Sequence, residues 1–152
     1  MAREWTYHNK AHCPMPEPLS ILVVDDELTI LQTLGMILKR AEYSVTTAQS
    51  CAEALSLLKT AHFDVVITDL SMEKEDIGFE VVREAQRLKS RPVIVVCTGY
   101  ANKVNSRVAL NMGVDYLALK PVEIDELTAA LRRLLHRRGL SPQRRTSAGT
   151  GE

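Results

Sequence analysis

The sequence predicts an α/β fold, a doubly wound, five-stranded parallel sheet with its helices on both faces. Three observations carry that expectation. Short apolar runs rich in Val and Ile alternate strictly with longer segments of helical period between Leu19 and Arg138. The runs are almost continuously hydrophobic, as strands buried on both faces are. Each interval between runs holds a helix-length segment, so right-handed βαβ crossovers are the simplest connections.

The elements follow in order. Residues 1–18 are polar and close in Pro-Met-Pro-Glu-Pro. Each Pro lacks an N–H and disfavours helix at the residue before it, so this stretch reads as an extended or disordered leader. LSILVV (19–24) is the first strand. Residues 27–40 then place Ile30, Leu31, Leu34, Ile37 and Leu38 on one side of a helix. YSVTTA (43–48) is the second strand. Ser50 caps a helix over 51–60, with Glu53 as the return partner of a capping box. FDVVITD (63–69) is the third strand, and FEVVREAQRLK (79–89) the third helix. Pro92 precedes VIVVC (93–97), the fourth strand. A fourth helix over 101–112 stops at Gly113, the residue type that most readily takes the left-handed terminating conformation. DYLAL (115–119) is the fifth strand. The last helix, 122–138, carries its acids early and its Arg and His late, as the helix dipole favours. The polar remainder, 139–152, cannot bury enough apolar surface to fold alone. The expected organisation is therefore a leader over 1–18, one domain over 19–138 and a disordered basic, polar tail over 139–152.

Composition narrows the classes. The chain has 152 residues and is 45% hydrophobic, ordinary for one globular domain. Nineteen basic and nineteen acidic residues cancel, which argues against a nucleic-acid binder acting through its whole surface. Six Arg and no acid lie between Arg132 and Arg145. They read as a solvated tail, without a recognition helix. Cys13, Cys51 and Cys97 are odd in number, far apart and without metal or redox spacing, so a reducing cytoplasm is expected. Cys97, in an apolar run, reads as a small buried hydrophobe. No apolar run approaches the roughly 20 residues needed to span a bilayer, and no signal-peptide pattern opens the chain.

The chemistry lies where the apolar runs stop. Asp25 and Asp26 follow ILVV, Asp69 follows VVIT, Thr98 follows VIVVC, and Lys120 follows YLAL just ahead of Pro121. In a parallel sheet these groups share the edge outside the carboxyl ends of the strands, where open α/β sheets hold their ligands. Three carboxylates, a hydroxyl and an ammonium at one point suit a divalent cation and a phosphoryl group. An aspartate can attack phosphorus to give an acyl phosphate. Mg²⁺ takes oxygen ligands and keeps several waters. Asp25 and Asp26 would hold the metal, Asp69 would carry the phosphoryl group, and Lys120 and the Thr98 hydroxyl would donate to its oxygens. Gly99 leaves room beside it.

The motifs ILVVDDE (21–27), VVITDL (65–70), VVCTGY (95–100) and GVDYLALKP (113–121) together resemble the receiver domain of two-component response regulators. The likeness covers about residues 19–138. It implies a flavodoxin-like (CheY-like) sheet of strand order 2-1-3-4-5. It implies that Asp69 accepts a phosphoryl group from a phosphohistidine on a sensor histidine kinase or phosphotransfer protein. Mg²⁺ would be held by Asp26 directly, by Asp25 mainly through water, by Asp69, and by the backbone carbonyl of Ser71. Thr98 would swing towards the phosphate, Lys120 would contact it, and the Lys120–Pro121 bond would be cis. The implied protein is a monomer or a phosphorylation-dependent homodimer, with no attached DNA-binding domain, no membrane segment and an unknown target protein. It would catalyse at most its own phosphorylation and dephosphorylation.

Two positions depart from that family's pattern. The family usually has Met-Pro after the phosphorylated Asp and Gly eight positions beyond it. Here Met72 is followed by Glu73, and Gly78 lies nine positions on, so the loop is one residue longer and more acidic. Glu73 or Glu75 could approach the metal, but both read better as solvated loop charges. The family favours an aromatic residue three positions before the lysine, whereas this chain has Leu117 with Tyr116 beside it. Neighbouring strand residues point to opposite faces, so Tyr116 cannot simply replace it. Tyr100 could instead cover the phosphoryl site. Two competing functions remain on the residues alone. One is a degenerate receiver that binds partners without phosphorylation, suggested by the lengthened loop and Leu117. The other is an aspartyl-phosphate phosphatase, although no D-x-D pair follows the first strand.

Overall fold

The computed structural model describes residues 17–74, 76–99 and 103–141. Most of the expected leader and tail, together with Glu75 and Tyr100, lie outside the described residues. The elements alternate as β1 (Ser20–Val24), α1 (Leu28–Arg40), β2 (Ser44–Ala48), α2 (Cys51–Thr60), β3 (Val65–Asp69), α3 (Gly78–Arg87), β4 (Val93–Thr98), α4 (Lys103–Asn111), β5 (Tyr116–Leu119) and α5 (Ile124–Arg137). The strands form one parallel sheet in the order β2-β1-β3-β4-β5.

Strand alternation divides the core in two. Ile21, Val23, Val65, Ile67, Val93 and Val95 face α1 and α5, meeting Leu31, Leu34, Leu38, Leu127, Leu131 and Leu135. Leu22, Val24, Val66, Ile94 and Val96 face the other way and meet α2, α3 and α4 through residues such as Ala54, Leu58, Val82 and Ala109. Burying one such aliphatic side chain contributes about 2 kcal/mol. Tyr116 packs on the first side and Leu117 on the second, as the period of two requires.

Several boundaries differ from the sequence expectation by a residue or two. Leu19, Tyr43 and Phe63 are buried but precede their ladders. Hydrophobic pattern reports burial, and burial extends past the paired backbone. The Ser50 hydroxyl accepts from Glu53 N at 3.2 Å, but the Glu53 carboxylate returns to Gln49 N at 2.9 Å, one residue before the expected Ser50 N–H. Gly113 ends α4 with φ of 79°. Leu140, beyond the expected domain end at 138, packs on the core.

Two aspartates brace the sheet at the strand starts, away from the edge where the candidate site residues follow the strands. Asp64 accepts from Ser20 N at 2.8 Å and from the Ser20 hydroxyl at 3.2 Å, tying β1 to β3. Asp115 accepts from Ile94 N at 2.8 Å and lies 3.7 Å from Arg138, tying β4 to the end of α5. Both stand just before apolar runs, a signal that is visible in the sequence once the strands are known. Among the described residues, no helix is long and apolar enough to cross a membrane.

Candidate functional site

Register decides what meets at the carboxyl edge. Val24 pairs with Thr68, Asp69 with Cys97, and Thr98 with Leu119. Asp25, the next residue along β1, therefore emerges level with Asp69, and Lys120, the next along β5, emerges two positions beyond it. Asp25 and Asp69 continue the alternation of Val23 and Ile67, so both fall on the α1/α5 side of the sheet. The Lys120 ammonium spans them, donating to Asp25 Oδ2 at 2.8 Å and to Asp69 Oδ2 at 2.9 Å. Asp25 and Asp69 are 3% and 5% exposed. The Lys120–Pro121 peptide is cis.

The other predicted residues stand around this trio. Asp26 is exposed, and its carboxylate clusters with those of Asp25 and Glu27, with one oxygen from each within 4.8 Å of the others. Glu27 was not among the candidates read from the sequence, although its signal is adjacency in Asp25-Asp26-Glu27. Asp69 stands outside that cluster, held by Lys120. Asp25 Oδ1 accepts from Glu27 N at 2.9 Å, which fixes the acidic turn. Ser71 N donates to Asp69 Oδ1 at 3.2 Å, so the residue expected to offer its carbonyl is tied to Asp69. The Thr98 hydroxyl donates to Gly99 O at 3.2 Å, and not to the carboxylates. Its backbone carbonyl accepts from Lys120 N at 2.8 Å, so Thr98 helps to place the lysine.

Gly78, at the start of α3, lies hard against the end of β3. A Cβ there would fall 2.0 Å from the Asp69 carbonyl oxygen and 2.6 Å from Leu70 Cα. Its N–H donates to Leu70 O at 2.9 Å. The lengthened loop before it turns through Asp76, whose φ is 62°. Glu73 is exposed, yet it is not simply solvated as expected: its carboxylate accepts from Cys51 N, the first amide of α2, at 3.0 Å.

Electrostatics follow from burial. A mostly apolar cavity of about 250 Å³ adjoins the trio, walled by Ile30, Leu34, Ile67, Pro121, Val122 and Ile124. Burial pushes the Asp69 carboxyl above the usual carboxylate range, with Lys120 opposing the rise and Asp25 adding to it. Burial also works against the Lys120 charge, but its bonds to Asp25 and Asp69 outweigh that, and the ammonium titrates above its usual value. Burial drives the Cys97 thiol up to about 12, so it is inert packing at neutral pH. The donor set of the acidic cluster is wholly oxygen, which fits a hard cation such as Mg²⁺.

Comparison with known proteins agrees with this fold. The model of the response regulator receiver domain matches residues 21–132. The transcriptional regulatory protein GlrR of Escherichia coli K12 is 34% identical over 115 residues, which are 76% of this chain and 26% of that protein. The response regulator MprA of Mycobacterium sp. strain KMS is 38% identical over 121 residues, which are 79% of this chain and 52% of that protein. The chain thus spans about half or less of the length of these relatives. A crystal structure of a response regulator receiver domain protein from Clostridium thermocellum superposes with a TM-score of 0.72 at 32% identity, covering 80% of this chain and 97% of that one.

Proposed function

Because this chain belongs to the response regulator receiver family of two-component systems, we propose that it takes a phosphoryl group onto Asp69 from a phosphohistidine and switches its partner binding in response. The donor is a sensor histidine kinase or a phosphotransfer protein. The observation that carries this reading is the Lys120 ammonium bonded to both Asp25 and Asp69 beside a mostly apolar cavity at the carboxyl edge of the sheet. A carboxylate oxygen of Asp69 attacks phosphorus, the phosphorus–nitrogen bond to histidine breaks, and an acyl phosphate forms. Lys120 offsets the negative charge that arrives. Thr98 holds the lysine through its carbonyl, and its hydroxyl turns from Gly99 O to the phosphoryl oxygens.

Asp25, Asp26, Asp69 and the Ser71 carbonyl would hold Mg²⁺, with Glu27 alongside. When bound, the metal neutralises phosphoryl oxygens and orients them. The phosphorylated state favours a conformation that binds its target differently, and so shifts populations instead of creating a new fold. The reading places the protein in the cytoplasm, with Cys51 and Cys97 free and buried, acting as a monomer or a phosphorylation-dependent homodimer.

Acetyl phosphate tests this without a kinase. With Mg²⁺, the intact mass should rise by one phosphoryl group, and peptide mapping should place it on Asp69. Chelation and Asp69→Asn should each abolish the increase. A label that survives Asp69→Asn would refute the assignment. No label on the wild type would favour a phosphorylation-independent module.

A further inference from the structure

Glu73 stands where the family's pattern usually has Pro, in a loop one residue longer than usual, and the fold gives it a partner. Its Oε1 accepts from Cys51 N at 3.0 Å. That amide is the first of α2, one of the donors a helix leaves unpaired at its start. The carboxylate also meets the positive end of the helix dipole. Ser50 Oγ serves a second donor of the same end, Glu53 N, at 3.2 Å. Glu73 therefore ties the β3–α3 loop to an element 22 positions earlier in the chain.

The tie lies two residues from Ser71, whose N–H holds Asp69 Oδ1 at 3.2 Å. A turn from Met72 N to Lys74 O, 3.3 Å, closes the loop around Glu73. At the far end the loop is clamped where Gly78 N meets Leu70 O at 2.9 Å. Met72 and Ile77 pack on the core from either side of Glu73, and the Glu73 carboxylate adds the hydrogen bond that ties this span to α2.

We infer that Glu73 is a positioning residue for the metal site: by bonding the Cys51 amide it holds the lengthened loop, and hence the Ser71 carbonyl, in place for Mg²⁺. This rests on the proposed function, because Ser71 matters as a ligand only if the metal binds at Asp25 and Asp26. The role belongs to this chain's own loop, and it needs an acceptor atom at position 73, not a negative charge.

The test titrates Mg²⁺ alone into the wild type, Glu73→Ala and Glu73→Gln, following the backbone amide signals of Asp69 and Ser71. Hydrogen exchange at the Cys51 amide is read in parallel. Glu73→Ala should weaken Mg²⁺ about tenfold, the usual cost of losing a group that orients a metal ligand. It should also speed exchange at Cys51. Glu73→Gln keeps an oxygen for the Cys51 N–H and should retain most of the affinity and protection. Equal affinity in wild type and Glu73→Ala would overturn the inference. Equal loss in Gln and Ala would also overturn it, because charge alone would then explain the effect. A wild type that binds no Mg²⁺ removes the proposed function and this inference together, whereas saturable wild-type binding with indifferent variants removes only the inference.

Discussion

The α-carbon of Gly78 rests against the backbone carbonyl of Asp69 so closely that a methyl group placed there would lie 2.0 Å from the oxygen. The helix α3 starts from this contact, and β3 ends at it. The obstacle is backbone, which cannot swing aside as a side chain can.

Gly78→Ala should therefore cost about 3 kcal/mol, the upper range for overpacking, and displace Asp69 with it. Urea denaturation gives the cost. An Ala variant within experimental error of the wild type would mean that the start of α3 yields more easily than the contact implies.

Lys120→Ala leaves Asp25 and Asp69 buried together without their shared cation. Breaking a buried pair from one side costs about 3 kcal/mol, because the remaining charge keeps its desolvation penalty. The loss should shrink when Asp25→Asn is added, since one of the two stranded charges disappears. A double mutant no more stable than Lys120→Ala would show that repulsion between the carboxylates is not the source.

Alkali should weaken the fold. The Cys97 thiol holds its proton up to about 12 in the folded protein, whereas an unfolded cysteine ionises near about 8.5. Its folded-state value is raised, so its contribution to stability is complete below about pH 8.5 and is lost as pH climbs from there towards the folded value. One such group imposes a slope of at most about 1.4 kcal/mol per pH unit. Tyr43, Cys51 and Lys120 are also raised and act in the same sense. Urea midpoints measured from about pH 8 to about pH 10 should fall less steeply in Cys97→Ala, given that thiol pKa. Parallel slopes would assign the alkaline loss to the other groups.

Asp64→Ala should free the lower ends of β1 and β3. It takes the carboxylate acceptor from the half-buried Ser20 amide, at a cost of about 1 kcal/mol. Exchange at Ser20 N–H should quicken while acetyl phosphate labelling of Asp69 continues, because the two aspartates lie at opposite ends of β3. Loss of labelling in a variant that remains folded would contradict that separation.

Much of the fold was legible because apolar periodicity reports burial, and burial places strands and helices to within a residue or two. VVITD and VIVVC needed nothing beyond their β-branched content. The strand order was reached only through the family likeness, since periodicity carries no information about which strands are neighbours. The site divides in the same way. Asp25, Asp69 and Lys120 could be grouped because each ends a run, and parallel strands bring such ends together. That Lys120 would pair with Asp25, 95 positions away, needed the register. The bond from the Thr98 hydroxyl to Gly99 O depends on a local rotamer, which periodicity does not announce. Glu73 reads as a loop charge in one dimension. Nothing in the spacing of residues 51 and 73 announces that a helix start will be waiting for it.

The lengthened connection between Ser71 and Gly78 turns left-handed at Asp76, upstream of the glycine step. With Glu73 tied to α2 and Gly78 seated on β3, the connection works like an expansion joint, in which slack collects between two fixed points. Descendants of this gene could lengthen or shorten that span, and so change which surfaces it offers to other molecules, without resetting the dimensions of the reaction centre beside it.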